Sequence, residues 1–96
     1  MGFLDKIRRS KKPADPDARR RELLSNGRIT DGLIIDADTT ADGGEIAYYV
    51  YTLNGVDFES SDLLTPEQMQ HPIKYAPGAK VGIRYDPKNQ GNSILE

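Results

Sequence analysis

The sequence predicts a mainly β domain: a small five-stranded antiparallel, partly open β-barrel of OB or SH3-like kind. A helix leads it, and a short helix separates its third and fourth strands. Three observations carry the prediction. After Arg28 the apolar residues recur with a period of two. Asn54-Gly55, Pro77-Gly78 and Asp86-Pro87-Lys88-Asn89 interrupt those runs with residues that build turns. Finally, 96 residues without a cysteine make one small domain, with neither disulfides nor a thiolate metal site to staple it.

Residues 1–14 (MGFLDKIRRSKKPA) form a basic, weakly amphipathic tail ahead of a single domain over residues 15–96. Phe3, Leu4 and Ile7 fall on one side of a helical turn, and Lys6, Arg8 and Arg9 on the remainder. These six residues are the candidate contact with an anionic membrane surface, because apolar anchors beside basic side chains suit that interface. The competing reading is a solubilising tail, since two turns of isolated helix are marginal in water. No apolar run reaches the length of a membrane span or of a signal-peptide core, so the expected location is cytoplasmic and membrane-peripheral. Gly2 suits myristoylation, but Lys6 occupies the position where Ser or Thr belongs.

Asp15-Pro16-Asp17 reads as a helix start, with Asp15 as N-cap and Pro16 at the first helical position. The helix is expected to run to about Ser25 and stop at Asn26-Gly27, a favoured left-handed C-cap pair. Its Arg19-Arg20-Arg21 triplet reads as a solvated face.

The first strand is expected to place Leu33, Ile35 and Ala37 inward and Ile34, Asp36 and Asp38 outward. A polar loop over residues 39–44 follows. The 46–53 strand is apolar on both sides, with Ile46, Tyr48 and Val50 on one and Tyr49, Tyr51 and Leu53 on the other. Such a strand is central or covered. If Tyr49, Tyr51 and Leu53 are exposed together, they form the candidate partner surface. Asn54-Gly55 predicts a type I′ hairpin, after which Val56 and Phe58 return inward while Asp57 and Glu59 face water. Thr65-Pro66-Glu67-Gln68 has the form of a capping box, predicting a short helix near residues 66–70 that ends at His71-Pro72. Val81, Ile83 and Tyr85 supply the inner face of a fourth strand, and Ser93-Ile94-Leu95 a short fifth.

Charge narrows the function classes. Residues 1–22 hold eight Lys/Arg against four Asp/Glu, whereas residues 23–96 hold five against eleven. Small barrels stack single-stranded nucleic acid on aromatics, and Tyr48, Tyr49, Tyr51, Phe58 and Tyr85 are of the right type. The acidic body repels phosphate, which disfavours nucleic acid as a partner and leaves a nucleic-acid-binding barrel as the alternative reading. His71 is the chain's one histidine, and Ser60, Ser61 and Asp62 precede it. A hydrolase using His71 lacks the strained turn and oxyanion donors, which makes it a distant alternative. Asp36, Asp38, Asp42 and Glu45 supply hard oxygens, but Ala41 stands where an EF-hand loop needs glycine. They read as solvent-facing charges that discourage sheet-edge pairing. No catalytic, metal or cofactor site is assigned.

Gly27-x-x-x-x-Gly32, then Tyr49-Val50-Tyr51 before Asn54-Gly55, then Tyr75-x-x-Gly78-x-x-Val81-x-Ile83-x-Tyr85-Asp86-Pro87-x-Asn89 occur in order. This series resembles the bacterial domain-of-unknown-function family 3592 over about residues 22–95. The resemblance implies a compact barrel-like β domain, often near membranes, with no catalytic residues to carry over. Gln90-Gly91 replaces the proline that ends the family turn, so the last connection is expected to be looser. Many members also carry hydrophobic membrane segments, which are not found in this chain. The expected function is therefore a non-catalytic accessory or protein-interaction module. Its partner would be an unidentified protein or a second copy of the chain, with an anionic membrane surface reached through the tail.

Overall fold

A computed structural model describes residues 16–96. The first element is α1 (Pro16–Asn26), followed by β1 (Arg28–Thr39), β2 (Glu45–Leu53), β3 (Val56–Leu63), β4 (Lys80–Asp86) and β5 (Asn89–Leu95). The Asp15 cap lies outside the described residues. All neighbouring strands are antiparallel, in the order β3-β2-β1-β4-β5, and they curl into a nearly closed barrel. Strand β1 is long enough to serve both halves. Its first part pairs with β4 from Arg28 to Leu33, and its second with β2 from Gly32 to Thr39.

The helix stops where Asn26-Gly27 predicts, but not through a left-handed cap. Among the described residues positive φ occurs only at Gly43, Asn54, Gly55 and Gly78. Gly27 is needed for close approach instead: a Cβ there would lie 2.4 Å from the Leu23 carbonyl oxygen and 3.0 Å from that of Tyr85. The Gly27 N–H donates to that same Leu23 carbonyl at 2.8 Å.

The inward phase of β1 also departs from expectation. Ile34 pairs with Tyr49 and Asp36 with Tyr48, leaving Ile35 as a bulge. One extra residue reverses the side-chain alternation. Before the bulge Thr30, Gly32 and Ile34 share the inner face, and after it Ala37 does. Ile34 is fully buried, while Leu33 and Ile35, expected inside, are exposed outside.

The turns follow their local chemistry. Asn54 and Gly55 have φ of 53° and 79°, the two positive values of a type I′ hairpin. Gly78 at φ 94° follows Pro77, and the Ala79 N–H donates to the Ala76 carbonyl, which makes a type II turn. The capping box forms in both directions: the Gln68 N–H donates to Thr65 Oγ1 at 3.1 Å, and the Thr65 N–H donates to Gln68 Oε1 at 2.9 Å. Only a single 3-10 turn over Gln68–Gln70 follows it, so the helix expected between the third and fourth strands shrinks to that turn. The Asp86–Asn89 turn is tight, with the Lys88 N–H donating to Asp86 Oδ1 at 2.9 Å. The irregularity expected there falls later, where residues 90–92 bulge before Ser93 pairs with Tyr85.

The interior is aromatic along β2. Tyr51 stacks against Tyr49, Phe58 and Tyr85 at centroid distances of 6.0, 5.3 and 6.5 Å. Ile34, Ala47, Leu53, Leu64, Tyr75, Val81, Ile83 and Leu95 complete the core. Val56 has the inward phase opposite Leu53, as expected, but it lies at the sheet's end and is exposed. Helix α1 packs on β4 and β5, and Leu23 and Ile94 are buried apart from the central core.

Candidate functional site

Tyrosine hydroxyls must find partners when buried, and here those of Tyr49, Tyr51 and Tyr75 are satisfied by the last strand and the residue after it. Tyr49 Oη and Ser93 Oγ share a hydrogen bond of 2.7 Å, Tyr51 donates to the Gln90 carbonyl at 2.6 Å, and Tyr75 to the Glu96 carbonyl at 2.9 Å. Burial pushes the Tyr49 hydroxyl above its ordinary pKa, against the opposing pull of Ser93 and Ser60. These tyrosines are scaffold. Tyr49, Tyr51 and Leu53 are 0, 3 and 8% exposed, which removes the partner surface expected on them. The side of β2 that faces out is the other one, with Ile46, Tyr48 and Val50 half-buried.

The seam between β3 and β5 is closed by side chains, with no ladder between the strands. Asp62 Oδ2 accepts the Leu95 N–H at 3.0 Å. Arg19 donates to Asn92 Oδ1 at 3.0 Å and to the Ser93 carbonyl at 2.8 Å, and Arg20 to the Leu95 carbonyl at 2.9 Å. Gln68 Nε2 also donates to the Leu95 carbonyl, at 3.2 Å. Two residues of the arginine triplet are thus struts on a strand edge, where a solvated face was expected. The only sequence signal was the position of that triplet on a helix with few apolar residues. Burial raises the Asp62 carboxyl above its ordinary pKa, while the Leu95 amide and then Arg20 and Arg19 draw it down.

The catalytic residues considered from sequence are dispersed. Ser60 points inward opposite Tyr49, Ser61 outward opposite Tyr48, and Asp62 lies in the seam. His71 is exposed and lines an open groove of about 690 Å³ between α1 and the 65–75 segment. Among the described residues no hydrogen bond joins His71 to Ser60, Ser61 or Asp62. The groove lining mixes Arg20, Arg21 and Lys74 with Asp17, Glu67 and Glu96, so neither sign dominates. Asp36 and Asp38 face solvent as expected, each accepting the N–H of the next residue. Among the described residues no group of three or more His, Asp or Glu side chains is placed to hold a metal.

What remains is the outer face of the sheet. Register places Leu33 beside Val50, and Asp36 beside Tyr48, with Ile35 bulged between them. Leu63 flanks Ile46 on the far side. Leu33, Ile35 and Leu63 are all exposed there. Around this stripe stand Asp31, Asp36, Asp38, Asp57 and Glu59, all solvent-exposed. Phe3, Leu4, Lys6, Ile7, Arg8 and Arg9, the candidate membrane contacts, lie outside the described residues. Among the described residues no helix is long and apolar enough to cross a membrane.

These features define a small antiparallel barrel domain with a filled interior and an apolar, acid-rimmed outer face. Residues 25–96 match the model of the family described as Domain of unknown function (DUF3592), and the chain belongs to that family. No curated protein matches it. No solved structure matches it.

Proposed function

We propose that this chain is a non-catalytic accessory module that engages a protein partner and is held at the cytoplasmic membrane surface by residues 3–12. The observation that carries the reading is the half-exposed apolar stripe of Leu33, Ile35, Tyr48 and Val50 on one continuous sheet face. A contiguous patch of this kind marks an interaction surface more often than it marks chemistry. The dispersal of His71, Ser60 and Asp62 supports the same reading, because acid–base or nucleophilic catalysis needs such groups within hydrogen-bond reach. The tether draws on the sequence alone: each Lys or Arg near an anionic surface contributes about 1 kcal/mol, and Lys6, Arg8, Arg9, Lys11 and Lys12 are close together.

Co-sedimentation with vesicles tests the tether. The full chain should pellet with vesicles rich in phosphatidylserine and stay in solution with pure phosphatidylcholine. Leu4→Asp/Ile7→Asp should abolish pelleting. Salt-sensitive binding of a single-stranded oligonucleotide that survives this double substitution would instead favour a nucleic-acid-binding barrel.

A further inference from the structure

The outer sheet face has a hollow of about 810 Å³ along β1, β2 and β4, where Gly82 presents no side chain. Leu33, Val50 and Thr52 border it, and Asp31 stands at its rim. The half-exposed stripe of Leu33, Ile35, Tyr48 and Val50 is continuous with that hollow. Lys74 and Lys80 lie at one end of it. Elsewhere the surround is acidic, through Asp31, Asp36, Asp38, Asp57 and Glu59. A fitting occupant carries bulky apolar residues interleaved with cations. A second copy of this face is the wrong occupant, because a two-fold interface would set its carboxylates against one another.

One segment of this chain has the required chemistry. Residues 3–12 combine Phe3, Leu4 and Ile7 with Lys6, Arg8, Arg9, Lys11 and Lys12. Residues 13–15 join that segment to Pro16 by a link of about 10 Å, and the segment itself can extend by about 30 Å more, enough to run along a face of a domain whose longest dimension is 46 Å. We propose that residues 3–12 dock on the apolar, acid-rimmed outer face of β1 and β2 within the same molecule. The inference rests on the reading above, since it uses the same face and the same segment. It adds a consequence: a membrane that takes the segment away uncovers the face for a partner, so surface attachment and partner binding become linked.

The cysteine-free sequence allows a clean test. A single Ser10→Cys substitution carries a nitroxide spin label in the full chain, and loss of amide signal intensity is read by NMR without lipid. Docking predicts intensity loss at Leu33, Ile35, Tyr48 and Val50. The loss should fade in 1 M salt, where charges are screened within about 3 Å. It should also fade in Asp31→Lys/Glu59→Lys, which alters two exposed rim carboxylates. If that variant fails to fold, Phe3→Ser/Leu4→Ser/Ile7→Ser leaves the barrel untouched and should abolish the loss. Intensity loss confined to α1 and the chain beside it would overturn the proposal. So would loss seen only when labelled chains act on separate isotope-enriched chains, which would mean docking between copies. Because no vesicle is present, failure here leaves the tether standing, and failure of the vesicle experiment leaves this docking standing.

Discussion

Asp62 Oδ2 accepts the backbone N–H of Leu95 at 3.0 Å, joining β3 to β5 where a closed barrel would have a strand ladder. Removing the acceptor leaves a buried donor unpaired. Asp62→Ala should therefore destabilise by about 1–3 kcal/mol in urea titration. An unchanged midpoint would show that the seam is held elsewhere.

The same carboxyl sets a pH dependence. Its folded pKa lies above its ordinary value because burial opposes the charge. The folded state then holds the proton more tightly than the unfolded state. This contribution is fully present below the unfolded value of about 3.9, and is lost as pH rises through the folded value. Asp62→Asn keeps an oxygen for Leu95 and removes the charge. Its stability relative to wild type should improve from pH 3 to pH 7, as read by thermal unfolding across that range. A flat difference would refute the assignment.

Tyr49 and Ser93 are both fully buried and satisfy each other at 2.7 Å. Tyr49→Phe should cost about 1–2 kcal/mol, largely by stranding the serine hydroxyl. Adding Ser93→Ala should then cost less than it does alone, because the hydrogen bond it would break is already gone. A double-mutant cycle measures that coupling, and strict additivity would rule it out.

Gly32 faces inward from β1, and a Cβ there would lie 2.6 Å from Ile83 Cγ1 and 3.0 Å from the Val50 carbonyl oxygen. Ile83 is fully buried and has nowhere to go. Gly32→Ala should destabilise by about 1–3 kcal/mol through overpacking. Gly91, where the nearest heavy atom to an added Cβ is Phe58 Cδ1 at 4.0 Å, is the control and should accept alanine at little cost.

Arg19 and Arg20 tie α1 to β5. The helix has little apolar surface of its own, Leu23 being its one fully buried apolar side chain. Arg19→Ala/Arg20→Ala should speed hydrogen exchange of the α1 amides at least tenfold, the equivalent of about 1.4 kcal/mol. The amides of β1 and β2 should be unaffected. Equal acceleration everywhere would mean that the arginines stabilise the whole barrel instead.

The local devices were legible because their causes lie within four residues. Asn54-Gly55 adopts its hairpin turn from the φ values those residues tolerate, and Thr65 and Gln68 exchange hydrogen bonds at the spacing of the capping box. The period of two likewise determined that the chain is a β domain, and the Tyr-Asp-Pro-x-Asn ending pointed to its family. Which face of each strand is buried was decided only by pairing. The bulge at Ile35 falls just past the point where β1 leaves β4 and continues along β2, and Ile34 takes the core place expected of its neighbours. The roles of Asp62, Arg19 and Arg20 were likewise invisible. They bond a strand edge some 30 to 75 residues away, and nothing nearby in sequence encodes that distance. Short-range conformational preference is written residue by residue; closure of a sheet on itself depends on where distant backbone groups come to rest.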